Sequence, residues 1–201
     1  MKPLMVADYM ISTDANGPGK RGVIWVQGCD RDCENCCNPD LKDFNGDCTP
    51  ESPIEYARYV YKDICSELLR GITLTGGEPL HPEHRDAMIF FLEELLYLAP
   101  YIDVFVFTGY EGYELDSSFD NIMMDIDMLI AGPYIKELNH PYGLIASTNQ
   151  EIIRNSSKFD DISDERIING SRVIEAKIVN QEMIFTGLIG LDDVKKIIGD
   201  R

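Results

Sequence analysis

Between residues 23 and 131, short runs of β-branched and aromatic residues alternate with helix-patterned stretches. Each run stops within two residues of a glycine. The runs cover residues 23–26, 72–75, 102–107 and 128–131. Strands separated by helices of this length cannot pair as hairpins and instead point to βαβ units around a parallel sheet. Ser52-Pro53-Ile54-Glu55 carries the capping-box pattern with proline at the first helical position. The helix it opens is expected to reach about Leu69, before Gly71, with Ile54, Ala57, Val60, Ile64 and Leu68 on its buried face. A second helix is expected over 83–98, closed by Pro100, and a short helical segment near 118–124. The segments rich in glycine, cysteine and proline all follow strand C-terminal ends, where α/β folds place their sites.

After Pro141 the pattern changes. Residues 155–171 read as polar loop, 172–179 and 183–186 as a β-hairpin, and 191–198 as a short terminal helix. The expected division is a core over 1–154 and a C-terminal extension over 155–201, packed on the core. The 201 residues carry 18 Lys+Arg against 35 Asp+Glu, a formal charge of −17. That balance excludes nucleic acid as a partner, because phosphate neutralisation needs clustered cations, and disfavours docking on anionic membranes. The N-terminal stretch is interrupted by Asp8 and lacks the apolar run of a signal peptide, and no stretch approaches membrane-span length. A cytoplasmic location is therefore expected, where thiols stay reduced and clustered cysteines signal metal or redox chemistry.

Four of the six cysteines, Cys29, Cys33, Cys36 and Cys37, fall within nine residues directly after the first strand. Cys29, Cys33 and Cys36 give the spacing C-x3-C-x2-C. Three thiolates in eight residues suit three irons of a 4Fe–4S cube whose fourth iron stays open to a substrate or cofactor. Structural zinc would ask for a fourth ligand and usually two separated cysteine pairs. Cys37 adds a second register, since Cys33-x3-Cys37 is also a workable pair; it is read as a free thiol, Cys65 as core and Cys48 as a bystander. His81 and His84 open the second helix and are read as surface or capping groups, and Met123, Met124 and Met128 as core.

The cysteine spacing resembles the cluster motif of radical S-adenosylmethionine enzymes, and Gly76-Gly77-Glu78-Pro79 resembles that superfamily's G-G-E-P motif. Asn16-Gly17-Pro18-Gly19-Lys20-Arg21 and Cys36-Cys37-Asn38-Pro39 resemble the [DN]-G-P-G-x-R and C-x-N-P segments of enzymes that activate glycyl-radical proteins. Phe107-Thr108-Gly109-Tyr110, Asp127 to Tyr134, and Ser147-Thr148-Asn149-Gln150 are similar to the anaerobic ribonucleotide reductase activase branch. The likeness covers roughly residues 8–154. Asn35 stands where many members have an aromatic residue, a departure that bears on the substrate more than on the chemistry.

The resemblance implies an α/β fold, an open partial (β/α) barrel with mostly parallel strands. It implies a 4Fe–4S cluster on Cys29, Cys33 and Cys36, with S-adenosylmethionine on the open iron. Gly76, Gly77, Glu78, Thr108, Gly109 and Asn149 are then the candidate cofactor contacts, with Tyr110 and Tyr113 towards the substrate. No side chain is assigned as catalytic, since the cofactor carries the 5′-deoxyadenosyl radical that takes hydrogen from a protein or peptide substrate. The implied partners are that substrate and a low-potential electron donor such as a flavodoxin or ferredoxin. Two alternatives stand beside glycyl-radical activation: modification or backbone splicing of a ribosomally made precursor peptide, and a zinc-stabilised binding module.

Overall fold

The computed structural model describes residues 1–179 and 182–188. Its strands in chain order are β1 (Leu4–Thr13), β2 (Arg21–Val26), β3 (Thr49–Glu51), β4 (Gly71–Gly76), β5 (Asp103–Thr108), β6 (Met128–Ala131), β7 (Glu151–Arg154), β8 (Glu175–Val179) and β9 (Glu182–Thr186). Its α-helices are α1 (Pro53–Glu67), α2 (Pro82–Leu98), α3 (Asp120–Met123) and α4 (Asp164–Asn169). The first seven strands form one sheet in the order β3-β1-β2-β4-β5-β6-β7, and β8 and β9 form a separate hairpin. β2, β4, β5 and β6 are mutually parallel. β1 and β7 pair antiparallel at either side of them, with β3 antiparallel to β1. The fold is therefore mixed α/β with a mostly parallel sheet and a C-terminal hairpin.

Side chains alternate across the sheet with period two and so sort into two faces. Ile24, Val26, Ile72, Leu74, Val104 and Val106 join the core made with Tyr56, Ala57, Val60 and Ile64 of α1 and with Met88, Phe91, Leu92 and Leu95 of α2. Phe105, Met128 and Ile130 face the other way, against Ile145, Phe159, Ile162 and Ile167. Phe159, Ile162 and Ile167 lie in the 155–171 stretch expected to be loop. That stretch instead forms α4, capped by Ser163, because three buried apolar residues outweigh its polar composition.

Local signals explain other differences. Ser52 is the N-cap of α1 with proline in the first turn, but its side chain makes no cap hydrogen bond. The helix ends at Glu67 because Leu68 turns left-handed (φ 51°); this swings Leu68 outward to 86% exposure rather than onto the expected buried face. β1 was not anticipated, since its alternation is broken by bulges where the register against β2 shifts. β3 and β7 are only three and four residues long. The expected terminal helix at 191–198 lies outside the described residues. No helix among the described residues is long and apolar enough to cross a membrane.

Candidate metal centre and cofactor site

The exit of β2 is built around backbone. Gly28 N–H donates to the Leu41 carbonyl (2.8 Å) and Cys29 N–H to the Lys42 carbonyl (3.0 Å), so the loop bearing the cysteines leaves and returns to one anchored base. Gln27 Nε2 fastens the returning segment through the Asp40 and Asp43 carbonyls. The turn after β4 is laid directly on this base. Gly77 N–H donates to the Val26 carbonyl at 2.7 Å and Glu78 N–H to the Gly28 carbonyl at 2.9 Å. A Cβ at Gly77 would stand 2.3 Å from the Gly28 oxygen, and Gly76 holds φ +105°, so both glycines are required by backbone-on-backbone approach of the two loops. The motif thus does more than turn a strand into a helix: it locks the cysteine loop to β4.

Glu78 carries the contact one strand further. Its Oε1 accepts from Leu80 N–H (3.0 Å) and from the Thr108 hydroxyl (2.7 Å), and its Oε2 from Gly109 N–H (2.6 Å). The carboxyl is 1% exposed. Burial pushes it up to about 7, against the pull of these three hydrogen bonds and of Arg31. Gly76, Gly77, Glu78, Thr108 and Gly109 are therefore brought together at adjacent strand ends. Asn149 sits at the exit of β6, donating to the Pro133 carbonyl at 2.9 Å, and its buried Oδ1 has no partner in the protein. An orphaned acceptor beside a row of strand ends is what a ligand-lined site leaves when described by protein atoms alone.

The cysteine loop reaches the other exits as well. Arg31 N–H donates to Cys29 Sγ, and the Arg31 side chain pairs with Glu114 (3.0 Å) and lies 4.0 Å over the Tyr110 ring. The Tyr134 backbone N–H hydrogen-bonds Cys33, and Lys136 pairs with Glu34 at 2.6 Å. Asn38 Nδ2 donates to the Gly76 carbonyl at 3.4 Å. Arg31 was missed in the sequence, where its one available signal was a cation inside the cysteine spacing of a strongly acidic chain.

Cys29, Cys33 and Cys36 are half-buried free thiols near enough to influence one another electrostatically. Burial pushes Cys29 up to about 11 and raises Cys33, whereas the adjacent Cys37 side chain pulls Cys36 down to about 6. Among the described residues, no three of His, Cys, Asp or Glu are gathered tightly enough for a single metal ion. A cube takes one thiolate per iron, so three soft donors on one anchored loop fit three irons of a 4Fe–4S cluster, whereas structural zinc asks for a fourth ligand. Cys37 is exposed; Cys65 is also exposed, on α1 beside the Tyr101 hydroxyl, and so is not the core residue expected. His81 caps α2 through Nδ1, but His84 is buried beside Phe44 rather than at the surface. Met128 is core, whereas Met124 is 80% exposed, and so is Tyr113, at 81%.

A family model for the 4Fe–4S single cluster domain matches residues 15–153. The chain belongs to that family. Within it, the chain is 32% identical over 147 residues to the anaerobic ribonucleoside-triphosphate reductase-activating protein of Vibrio cholerae serotype O1, across 69% of this chain and 90% of that one. The protein of that name from Pasteurella multocida is 32% identical over 152 residues, 73% of this chain and 94% of its own length. That of Enterobacteria phage T4 is 31% identical over 143 residues, 70% and 88% respectively. The motif resemblance to the reductase activase branch is borne out by these matches. The family match ends at residue 153.

Proposed function

We propose that this chain is a radical S-adenosylmethionine enzyme that activates a glycyl-radical protein, an anaerobic ribonucleoside-triphosphate reductase, by removing a backbone hydrogen atom from a glycine. The observation that carries the reading is the seating of the C-x3-C-x2-C loop on the Gly76–Glu78 turn, in a chain 32% identical to a reductase-activating protein. Cys29, Cys33 and Cys36 would hold the 4Fe–4S cluster. Gly76, Gly77, Thr108, Gly109 and Asn149 would line the S-adenosylmethionine site beside it. When bound, the two cofactors supply a 5′-deoxyadenosyl radical by one-electron cleavage of the sulfonium. The protein's part is to position and shield. Glu78 fixes the β4 and β5 exits relative to each other, and Arg31 ties the cluster loop to the β5 exit.

In this reading the sheet is a partial (β/α) barrel, open at one side, with the face opposite α1 and α2 turned to the substrate. The core ends near residue 154 and the rest is an extension; the family match to residue 153 supports that boundary. A flavodoxin or ferredoxin in the cytoplasm is the electron donor. The test is anaerobic: reconstituted enzyme, S-adenosylmethionine, a chemical reductant and the same organism's reductase should yield a glycyl-radical doublet by electron paramagnetic resonance. Cofactor cleavage without any protein radical would refute the activase role.

A further inference from the structure

The sheet face opposite α1 and α2 is filled at one end and hollow at the other. At the strand starts Arg21, Thr73 and Phe105 plug it. Toward the strand ends, residues of the same parity further along, Trp25, Thr75 and Phe107, line a cavity of about 500 Å³, joined by Met10 from β1. That size is typical of ligand sites. Thr75 and Phe107 immediately precede Gly76 and Thr108, and Asn38, also in the lining, bonds the Gly76 carbonyl. The cavity therefore adjoins the residues of the proposed cofactor site.

Its remaining wall comes from beyond residue 153. Phe185, Thr186, Gly187 and Leu188, at the end of β9, line it directly. The hairpin is held there from several sides. Asn16 Nδ2 donates to the buried Thr186 hydroxyl, Asp14 N–H to Glu175 (2.7 Å), and Lys177 Nζ to the Ile11 carbonyl (2.9 Å). Arg172 grips the Ile145 and Leu188 carbonyls at 2.8 and 3.1 Å. Among the described residues the lining contains Asp8, Asp40 and Asp47 but no lysine, arginine or histidine.

We infer that the β8–β9 hairpin is the substrate-selecting wall of this cavity. Phe185 and Leu188 pack against the entering chain, an extended polypeptide segment with glycine at the reacting position and a lysine or arginine beside it to meet the aspartates. The charge of the lining commits the occupant, since an acidic segment would be repelled whereas a cationic side chain would be drawn to the three aspartates. An extra wall on the 4Fe–4S family unit gives this chain a partner preference that the matched region alone does not encode.

This inference rests on the activase reading, and the experiment separates the two. Holoenzyme variants Phe185→Ala and Phe185→Leu, together with Asp8→Asn/Asp40→Asn, are assayed against the same organism's reductase by rate of glycyl-radical formation. Iron and sulfide content and melting temperature serve as folding controls. Phe185→Ala should raise KM for the reductase about ten-fold with kcat within about three-fold, as loss of a binding contact does, and Phe185→Leu should recover much of it. The double aspartate variant should flatten the salt dependence of KM. Wild-type activity with unchanged KM and salt dependence in all variants overturns the hairpin role while leaving the activase reading intact. A wild-type enzyme that neither binds the reductase nor forms its radical overturns both.

Discussion

At the starts of β2, β4 and β5, strong polar groups satisfy one another. Buried Arg21 pairs with Asp103 through Nη2, which also donates to the Ile72 carbonyl, while its Nε donates to Thr73 (2.8 Å) and its Nη1 to the Pro18 carbonyl. Arg70 takes the second oxygen of Asp103 and reaches Asp161 at 2.7 Å. At the opposite ends of the same strands, a buried carboxyl accepts from a hydroxyl and two amides and three thiols stand half-buried, and beside them at the exit of β6 an amide oxygen has no partner. The strands are shared, so the difference is not one of scaffold. The first end is closed by its own groups and serves stability. The second is left incomplete by protein atoms, as a site for cofactors must be.

The comparison breaks most readily at the thiols. Replacing Cys36 by Ala should abolish cluster loading, giving a colourless protein without iron or sulfide, whereas Cys37→Ala should load normally. The reverse result would move the register to Cys37 and remove the basis for placing the open iron beside Gly76. At the closed end, Asp103→Ala strips the partner from a fully buried guanidinium, for which a loss of about 3–5 kcal/mol is expected. Chemical denaturation reads it directly. A loss below about 1 kcal/mol would mean that water reaches Arg21 and that this end is not closed.

How much of this was visible beforehand follows from where each signal is local. Four parallel strands, two helices and the cysteine loop are written in contiguous runs, and Gly76-Gly77 announces a backbone close approach without saying to what. The partner of that approach, the Gly28 carbonyl, lies 49 residues away and no spacing encodes it. Likewise Glu78 read as polar support, but its grip on Thr108 and Gly109 depends on β4 and β5 being neighbours. β1 was missed because bulges spoil its period, and α4 because Phe159, Ile162 and Ile167 find an apolar face that only the folded sheet supplies. Arg21 belonged to a motif whose residues were legible, yet its burial was not: nothing local distinguishes a surface arginine from one sealed between Asp103 and two phenylalanines.

The subtlest contrast between the two ends is in charge. Asp103 faces two cations, whereas Glu78 has three uncharged donors with Arg31 further off, and burial raises the Glu78 carboxyl to about 7 from an ordinary 4.5. A carboxyl raised on folding binds its proton more tightly in the native state, and its contribution to stability is present below pH 4.5 and lost as pH climbs through 7. The span is about 3 kcal/mol at 1.36 kcal/mol per unit. Glu78→Gln removes this titration but also turns an amide toward Gly109 N–H, a fixed cost at every pH. The variant should therefore be less stable than the wild type at pH 4.5, and the gap should narrow by about 3 kcal/mol by pH 7.5. Denaturant unfolding at both pH values measures the change in the gap, which is free of the fixed cost. A gap that widens with pH would mean that the hydrogen bonds outweigh burial and hold Glu78 ionised, making the open end as well satisfied electrostatically as the closed one.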